Sequence, residues 1–163
     1  MISIETVNKQ SIQWHYDLST VFYRVLWGPH IHHGLWSGDE SSETAQLKLT
    51  QTLARLAQIP TAGCDVLDVG CGMGGSSIHL AKHFGCRVTG VTISQAQFDY
   101  ARRRITAAGL DERVEIRLCD YRDLDGRFDK LASIEMIEAV GHAGTPKTIH
   151  PVGEHILLAN APV

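Results

Sequence analysis

The sequence predicts an α/β fold with a doubly wound, mainly parallel sheet, and three observations indicate it. Short apolar segments rich in β-branched residues alternate with amphipathic segments of helical length. Closely spaced glycines follow the first apolar segment directly, as they do at a tight turn from a strand into a helix. The chain has 163 residues, of which 44% are hydrophobic, and this suffices for one domain with a substantial core.

The order of the elements follows from the positions of apolar and helix-breaking residues. Residues 1–40 are rich in aromatic residues and histidine, and we expect an N-terminal helical cap there, followed by a core of residues 41–142. The core begins with an amphipathic helix from Ser41 or Ser42 to Ile59, which Pro60 ends. The pattern then predicts four strands and two helices, namely strand 64–69, helix 76–84, strand 87–93, helix 94–108, strand 114–119 and strand 128–134.

The pattern changes after the fourth predicted strand. Helix-breaking residues fall where the next crossover helix is expected, namely Gly141, Gly144, Pro146, Pro151 and Gly153. We therefore expect residues 143–163 to form an atypical tail after the fourth strand. That strand becomes an edge open to self-association unless a short strand at residues 155–159, or another chain, pairs with it.

Composition excludes several classes of function. A net charge near -3 and a pI near 6.3 argue against a nucleic-acid partner. No apolar run approaches the roughly 20 residues that span a bilayer, so we expect no integral membrane segment. The four cysteines form no C-x-x-C pair and are expected to be reduced, in a cytoplasmic protein. The cluster of His30, His32 and His33 lacks the fixed geometry of a ligand set, so we expect it to line a substrate pocket and to bind no metal.

The glycine loop is the strongest indication of a ligand. Gly70, Gly72 and Gly74 are spaced G-x-G-x-G, whereas dinucleotide sites use G-x-G-x-x-G to hold a pyrophosphate. Asp68 stands two residues before the first glycine, where a carboxylate repels phosphate and attracts a cation. S-adenosylmethionine carries a sulfonium and an ammonium and no phosphate, so it suits this loop better than NAD does. A ligand-free turn is disfavoured because glycines at a helix start cost stability.

The ends of the next two strands carry polar groups suited to the rest of such a cofactor. Thr92, Ile93 and Gln97 offer hydroxyl and amide groups for a ribose, although Ser94 as a plain helix cap explains the same segment. Asp120 can accept from an adenine amine and Tyr121 can stack on the base, the alternative being an exposed loop aspartate.

The fourth strand ends in Glu135, Glu138 and His142, whose spacing would place them on one face of a helix. Such a group can orient a nucleophile or accept a proton, and the alternative is a solvated helical face.

Four motifs in this order resemble those of class I S-adenosylmethionine-dependent methyltransferases, a Rossmann-like fold. The similar branch includes cyclopropane fatty-acid synthases and tocopherol-type methyltransferases, and the resemblance covers roughly residues 12 to 142. The motifs are residues 15–18 with Phe22 and Tyr23, residues 67–72, residues 90–94 with Gln97, and residues 133–142. The stretch 30–36 looks more like the tocopherol-type branch, which favours methyl transfer over cyclopropanation.

The resemblance implies S-adenosylmethionine as cofactor and a small-molecule or lipid-like acceptor. It assigns Glu138 and His142 to catalysis, because Glu138 matches the acid that helps to hold a bicarbonate in cyclopropane synthases. Cyclopropane synthase-like methylene transfer, and a truncated fragment that binds the cofactor without turnover, are the alternatives. The residues assigned to the cofactor are Tyr16, His33, Gly34, Asp68, Gly70, Cys71, Gly72, Gly74, Thr92, Ile93, Gln97, Asp120, Tyr121 and Glu135.

Overall fold

A computed structural model describes Trp14, residues 17–20, Gly28, residues 30–136 and the backbone of residues 156–159. The elements are α1 (Ser42–Leu56), β1 (Asp65–Val69), α2 (Gly75–Phe84), β2 (Arg87–Thr92), α3 (Gln95–Ala107), β3 (Val114–Leu118), a 3-10 turn (Tyr121–Asp123), β4 (Lys130–Ile134) and β5 (Ile156–Ala159). The predicted order of strands and helices is confirmed.

The strands form one sheet in the order β3-β2-β1-β4-β5, and every pairing is parallel. β5 pairs with β4 from Leu131 opposite Ile156 to Ile134 opposite Ala159. The short strand expected near the end of the sequence is therefore present. Self-association through the edge of β4 would require β5 to be displaced.

The first helix is shorter than predicted. Ser41 caps α1 by accepting from the backbone N–H of Thr44. The helix ends at Leu56 rather than at Ile59, because Gln58 has a φ of 54° and its N–H bonds to the carbonyl of Arg55. A left-handed residue stops the helix before Pro60 is reached.

Side chains alternate between the two faces of the sheet, and each face has its own apolar cluster. Val66, Val88 and Val114 pack with side chains of all three α-helices, and we call this side the helix-covered face. Leu67, Val69, Val91 and Leu131 pack with Tyr121, Leu124 and Phe128 of the β3–β4 link, and we call this side the link-covered face. Within the described residues, α-helices pack on the first face only.

Candidate functional site

The turn between β1 and α2 requires its glycines. Gly70, Gly72 and Gly74 have φ values of +76°, +53° and +75°, a region that L side chains rarely adopt. A Cβ on Gly70 would also lie 2.5 Å from Cγ of Met136, beyond the end of β4. The N–H groups of Gly70 and Cys71 both donate to the carbonyl of Val91 at 3.0 Å, which ties the loop to β2. The backbone of the glycine loop is thus held in place, and without side chains at these glycines a ligand above the loop could approach it closely.

Asp68 lies buried beneath this loop, with 2% of its surface exposed. Burial raises the pKa of its carboxyl to about 6, although Ser77 Oγ donates to Oδ2 at 2.6 Å and opposes the rise. Asp68 is therefore mainly ionised at neutral pH. A buried carboxylate with so little compensation favours a cation beside it, which is the fit expected for the charged end of S-adenosylmethionine.

A small cavity of about 30 Å³ opens at this point. Residues 70–73, Gly75, Ser76, Asp68 and Ile134 line it from the sheet side, and residues 30–32 line it from the N-terminal segment. His30 and His32 thus line a pocket with the glycine loop, and His33 does not. That this pocket takes a substrate stays a prediction.

Both imidazoles of this cavity are held neutral. Burial lowers the pKa of His30 to about 3, and repulsion from His32, Arg104 and His79 adds to the effect. Burial also lowers the pKa of His32. The cavity therefore combines one buried carboxylate with uncharged rings.

His33 instead joins the N-terminal segment to the end of β4. Its backbone N–H donates to Glu135 Oε1 and its Nδ1 lies against Oε2, both at 2.9 Å. Glu135 has a φ of 54°, a conformation that costs energy for a residue with a side chain. Gly34 packs against Ala45 of α1, and a Cβ there would overlap it. Two residues assigned to the cofactor by resemblance, His33 and Glu135, therefore bind each other.

The end of β2 is an interlocked hydrogen-bond network. Thr92 Oγ1 and Gln97 Oε1 lie 2.9 Å apart, and both residues are buried. Ser94 Oγ accepts from the Gln97 N–H and donates to Asp17 Oδ1 at 2.6 Å, and Asp17 also accepts from the Ala96 N–H at 3.3 Å. Sequence reasoning missed this role of Asp17, which lies 77 residues from Ser94. The only signal was an acid in the motif of residues 15–18.

Asp120 and Tyr121, which were predicted to hold an adenine, both contact other residues of the protein. The Asp120 carboxylate binds the Arg122 guanidinium through Nε at 2.9 Å and Nη2 at 2.6 Å. Tyr121 is buried in the cluster of the link-covered face. Their roles at an adenine stay predictions.

Cys71 and Ile93 were also assigned to the cofactor. Cys71 is buried, which raises the pKa of its thiol well above the ordinary range, and Ile93 is half-buried before α3.

Tyr16, Glu138 and His142 lie outside the described residues. Among the residues that the structure describes, no three histidines, cysteines or acids come together as a metal site. No helix in that part of the chain combines the length and apolar character needed to cross a membrane.

With this geometry established, comparison with known proteins identifies the family. Residues 4–155 match the family described as mycolic acid cyclopropane synthetase. The chain belongs to this family. The match is longer at both ends than the stretch 12–142 on which the resemblance was recognised, and it includes most of the segment predicted to be atypical.

Three curated relatives agree with the branch predicted from the motifs. The chain is 37% identical over 139 residues to a probable fatty acid methyltransferase of Pseudomonas putida, covering 82% of this chain and 35% of that protein. It is 36% identical over 129 residues to a cyclopropane-fatty-acyl-phospholipid synthase of Escherichia coli, covering 78% and 32%. It is 31% identical over 139 residues to a probable chloroplastic tocopherol O-methyltransferase of Oryza sativa, covering 78% and 38%. The chain thus spans about a third of the length of these relatives.

Solved structures confirm the Rossmann-like methyltransferase fold. The mycolic acid cyclopropane synthase CmaA1, complexed with S-adenosylhomocysteine (SAH) and CTAB, matches with a TM-score of 0.71 at 24% identity, over 82% of this chain and 48% of that one. Coclaurine N-methyltransferase, bound to N-methylheliamine and SAH, matches with a TM-score of 0.65 at 26% identity, over 78% and 41%.

Proposed function

We propose that this chain binds S-adenosylmethionine and takes part in methyl transfer to a lipid-like or small-molecule acceptor. The observation that carries the proposal is the ionised, buried Asp68 beneath a glycine loop, facing a cavity whose other titratable groups are neutral. Family membership supports it, and so do the relatives' names. Those names also favour an enzyme over the alternative of a fragment that only binds the cofactor.

The proposed residues would bind the cofactor in one orientation along the ends of β1, β2 and β3. Asp68 and the glycine loop would hold the charged amino-acid end, the segment from Thr92 to Gln97 the ribose, and Asp120 with Tyr121 the adenine. When bound, S-adenosylmethionine supplies a methyl group already activated on its sulfonium. The protein's part is then to align an acceptor with that methyl and to exclude water, because alignment alone is worth about 7–11 kcal/mol of barrier.

A lipid-like acceptor is the version that the fatty-acid relatives favour. Glu138 and His142 would then orient the acceptor or accept its proton after the methyl group is transferred. The cyclopropane synthase relative supports a second candidate, in which the transferred carbon closes a ring across a double bond. A donor carrying a fully deuterated methyl group separates the two. Simple transfer to a heteroatom keeps three deuteriums in the product, because the proton released comes from the acceptor. Ring closure keeps two, because one C–D bond of the transferred methyl group breaks and its deuteron passes to a base.

Binding is the first test, because the described residues contain the proposed cofactor site apart from Tyr16. Calorimetry with SAH should give a dissociation constant of about 1 to 100 micromolar, with NAD as a control that gives no heat. A chain with a folded circular-dichroism spectrum that binds neither SAH nor S-adenosylmethionine would contradict the proposal.

Three further parts of the proposal concern surroundings and partners. A cytoplasmic location is supported by Cys64, Cys71, Cys86 and Cys119, which are all free. The acidic net charge of -3 supports the absence of a nucleic-acid partner. Self-association through β4 would compete with β5, so a chain ending at residue 155 should associate more than the full chain does, as sedimentation velocity can measure.

A further inference from the structure

Two histidine rings at the cavity each bury a nitrogen that lacks a partner. His30 Nδ1 and His32 Nε2 are shielded from solvent and have no hydrogen bond from the residues that the structure describes. Only 4% and 6% of these residues is exposed, and both line the same cavity as Asp68. Leaving a buried polar atom unpaired costs about 1–3 kcal/mol, so each nitrogen favours a ligand that can satisfy it.

The protonation of His32 follows from its other nitrogen. Nδ1 lies 2.7 Å from the backbone carbonyl oxygen of His33. A carbonyl oxygen only accepts, so Nδ1 must carry the hydrogen. Burial lowers the pKa of His32 and keeps the ring neutral, with a single N–H. Nε2 is therefore a bare acceptor, and only a donor can satisfy it.

The position of this acceptor is fixed by the surrounding chain. The side-chain amide of Gln46 in α1 donates to the carbonyls of His30 and His32, at 3.1 and 2.9 Å. The two rings meet edge to face, with centroids 5.2 Å apart. Asp68 supplies negative charge to the same cavity, and the neutral rings do not oppose a cation there. A donor that also carries positive charge would satisfy both groups.

We propose that His32 Nε2 accepts a hydrogen bond from the ammonium group at the amino-acid end of the cofactor, with Asp68 supplying the opposite charge. The ligand class is an α-ammonium group, and His32 takes the binding role that the sequence resemblance assigned to its neighbour His33. The inference rests on the proposed function, since it requires S-adenosylmethionine or SAH in this cavity.

The test compares SAH with its deaminated analogue, in which hydrogen replaces the amino group, by calorimetry on the full chain. The wild-type protein should bind SAH at least 10-fold more tightly than the analogue, because a hydrogen bond to a charged group is worth about 1.5–3 kcal/mol. His32→Asn keeps a donor for the carbonyl of His33 but removes the acceptor, and should lose most of that preference. His32→Gln places an amide oxygen near the position of Nε2 and should retain it. His83→Asn, at an exposed histidine of α2, is the matched control and should behave as wild type.

A spectroscopic readout is independent of the variants. The nitrogen-15 resonance of His32 Nε2 should shift when SAH binds and should stay near its free position with the analogue. If SAH binds but His32→Asn keeps the wild-type preference, or if the resonance does not move, the inference is overturned and the proposed function stands. If the folded wild-type chain does not bind SAH at all, both fall. Should His32→Asn fail to fold, His32→Gln and the resonance decide.

Discussion

The helix-covered and link-covered faces of the sheet are built from different parts of the sequence. On the first, α1, α2 and α3 pack over Val66, Val88 and Val114. On the second, one irregular link carrying Tyr121, Leu124 and Phe128 packs over residues of the central strands. Each helix of the first face adjoins in sequence a strand that it helps to cover, so that face is assembled from local units.

The two faces also differ in charge and polarity. The helix-covered side holds the buried carboxylate of Asp68 and the neutral rings of His30 and His79, close to the glycine loop. The described part of the link-covered face is mainly apolar and includes the ring of Tyr121. The proposed cofactor site thus lies on the helix-covered face, and stability and ligand binding should be coupled there.

Acid should act first on the helix-covered side. Burial lowers the pKa of His30 from 6.5 to about 3 and that of His79 to about 4. Both values fall below those of the unfolded chain, so the stability they contribute is complete above pH 6.5 and is lost as pH falls toward 3. At about 1.4 kcal/mol per pKa unit, His30 alone can contribute up to about 5 kcal/mol. Amides of α2 should lose hydrogen-exchange protection before those of residues 121–128.

His30→Asn is the control for this effect, because it removes the titrating ring and should flatten the decline in melting temperature below pH 6.5. An unchanged slope in that variant would mean that other groups govern acid unfolding.

A matched pair of leucines compares the packing of the two faces directly. Leu80 on α2 and Leu131 on β4 are 1% and 3% exposed. Leu80→Ala should cost about 3–5 kcal/mol, and Leu131→Ala about 2 kcal/mol or less, because the irregular link can collapse into the space. Urea denaturation measures both free energies of unfolding. Equal costs would show that the link packs its face as tightly as the helices pack theirs.

Asp68→Asn should make the protein more stable and a poorer binder. Folding raises the pKa of this group from 3.8 to about 6, so its stability contribution is present below pH 3.8 and lost as pH rises through 6. Removing the charge should therefore add up to about 3 kcal/mol at pH 7. Affinity for SAH should fall about 10-fold or more, as calorimetry can measure. Asp120→Asn is the contrast: it weakens the pair with Arg122 and should lower stability.

The smallest effect is expected where the N-terminal segment joins α3. Ser94→Ala removes the helix cap and the bond to Asp17, and should cost about 1 kcal/mol. Asp17→Ala should cost a similar amount, and the double variant should cost less than the sum because the two residues share one bond. Fully additive costs in urea denaturation would show that the two residues act separately.

The sequence was sufficient for the features whose causes are local. Strand and helix positions, the Ser94 cap and the glycine loop all depend on neighbours within a few residues, and each was predicted. The pairing of His33 with Glu135 spans 102 positions and that of Ser94 with Asp17 spans 77, and no local pattern encodes either. α1 ends early because Gln58 adopts a left-handed conformation. Glutamine rarely adopts this conformation, so the residue type gave no reason to expect it. The sequence analysis treated Asp120 and Thr92 as available to a ligand. In the structure Asp120 binds Arg122 and Thr92 binds Gln97.

The central position of β1 has a consequence for how the chain folds. Its partner β2 pairs Arg87 with Asp65, only 22 residues away, whereas β4 pairs Lys130 with Val66, 64 residues away. Closing the larger loop costs more chain entropy before any contact compensates for it. The β1–β2–β3 unit should therefore form early, with β4 docking as a slower step. Met136 lies just past β4 and packs over Gly70. It reaches that position only when β4 docks, so the packing over the glycine loop is completed late in folding.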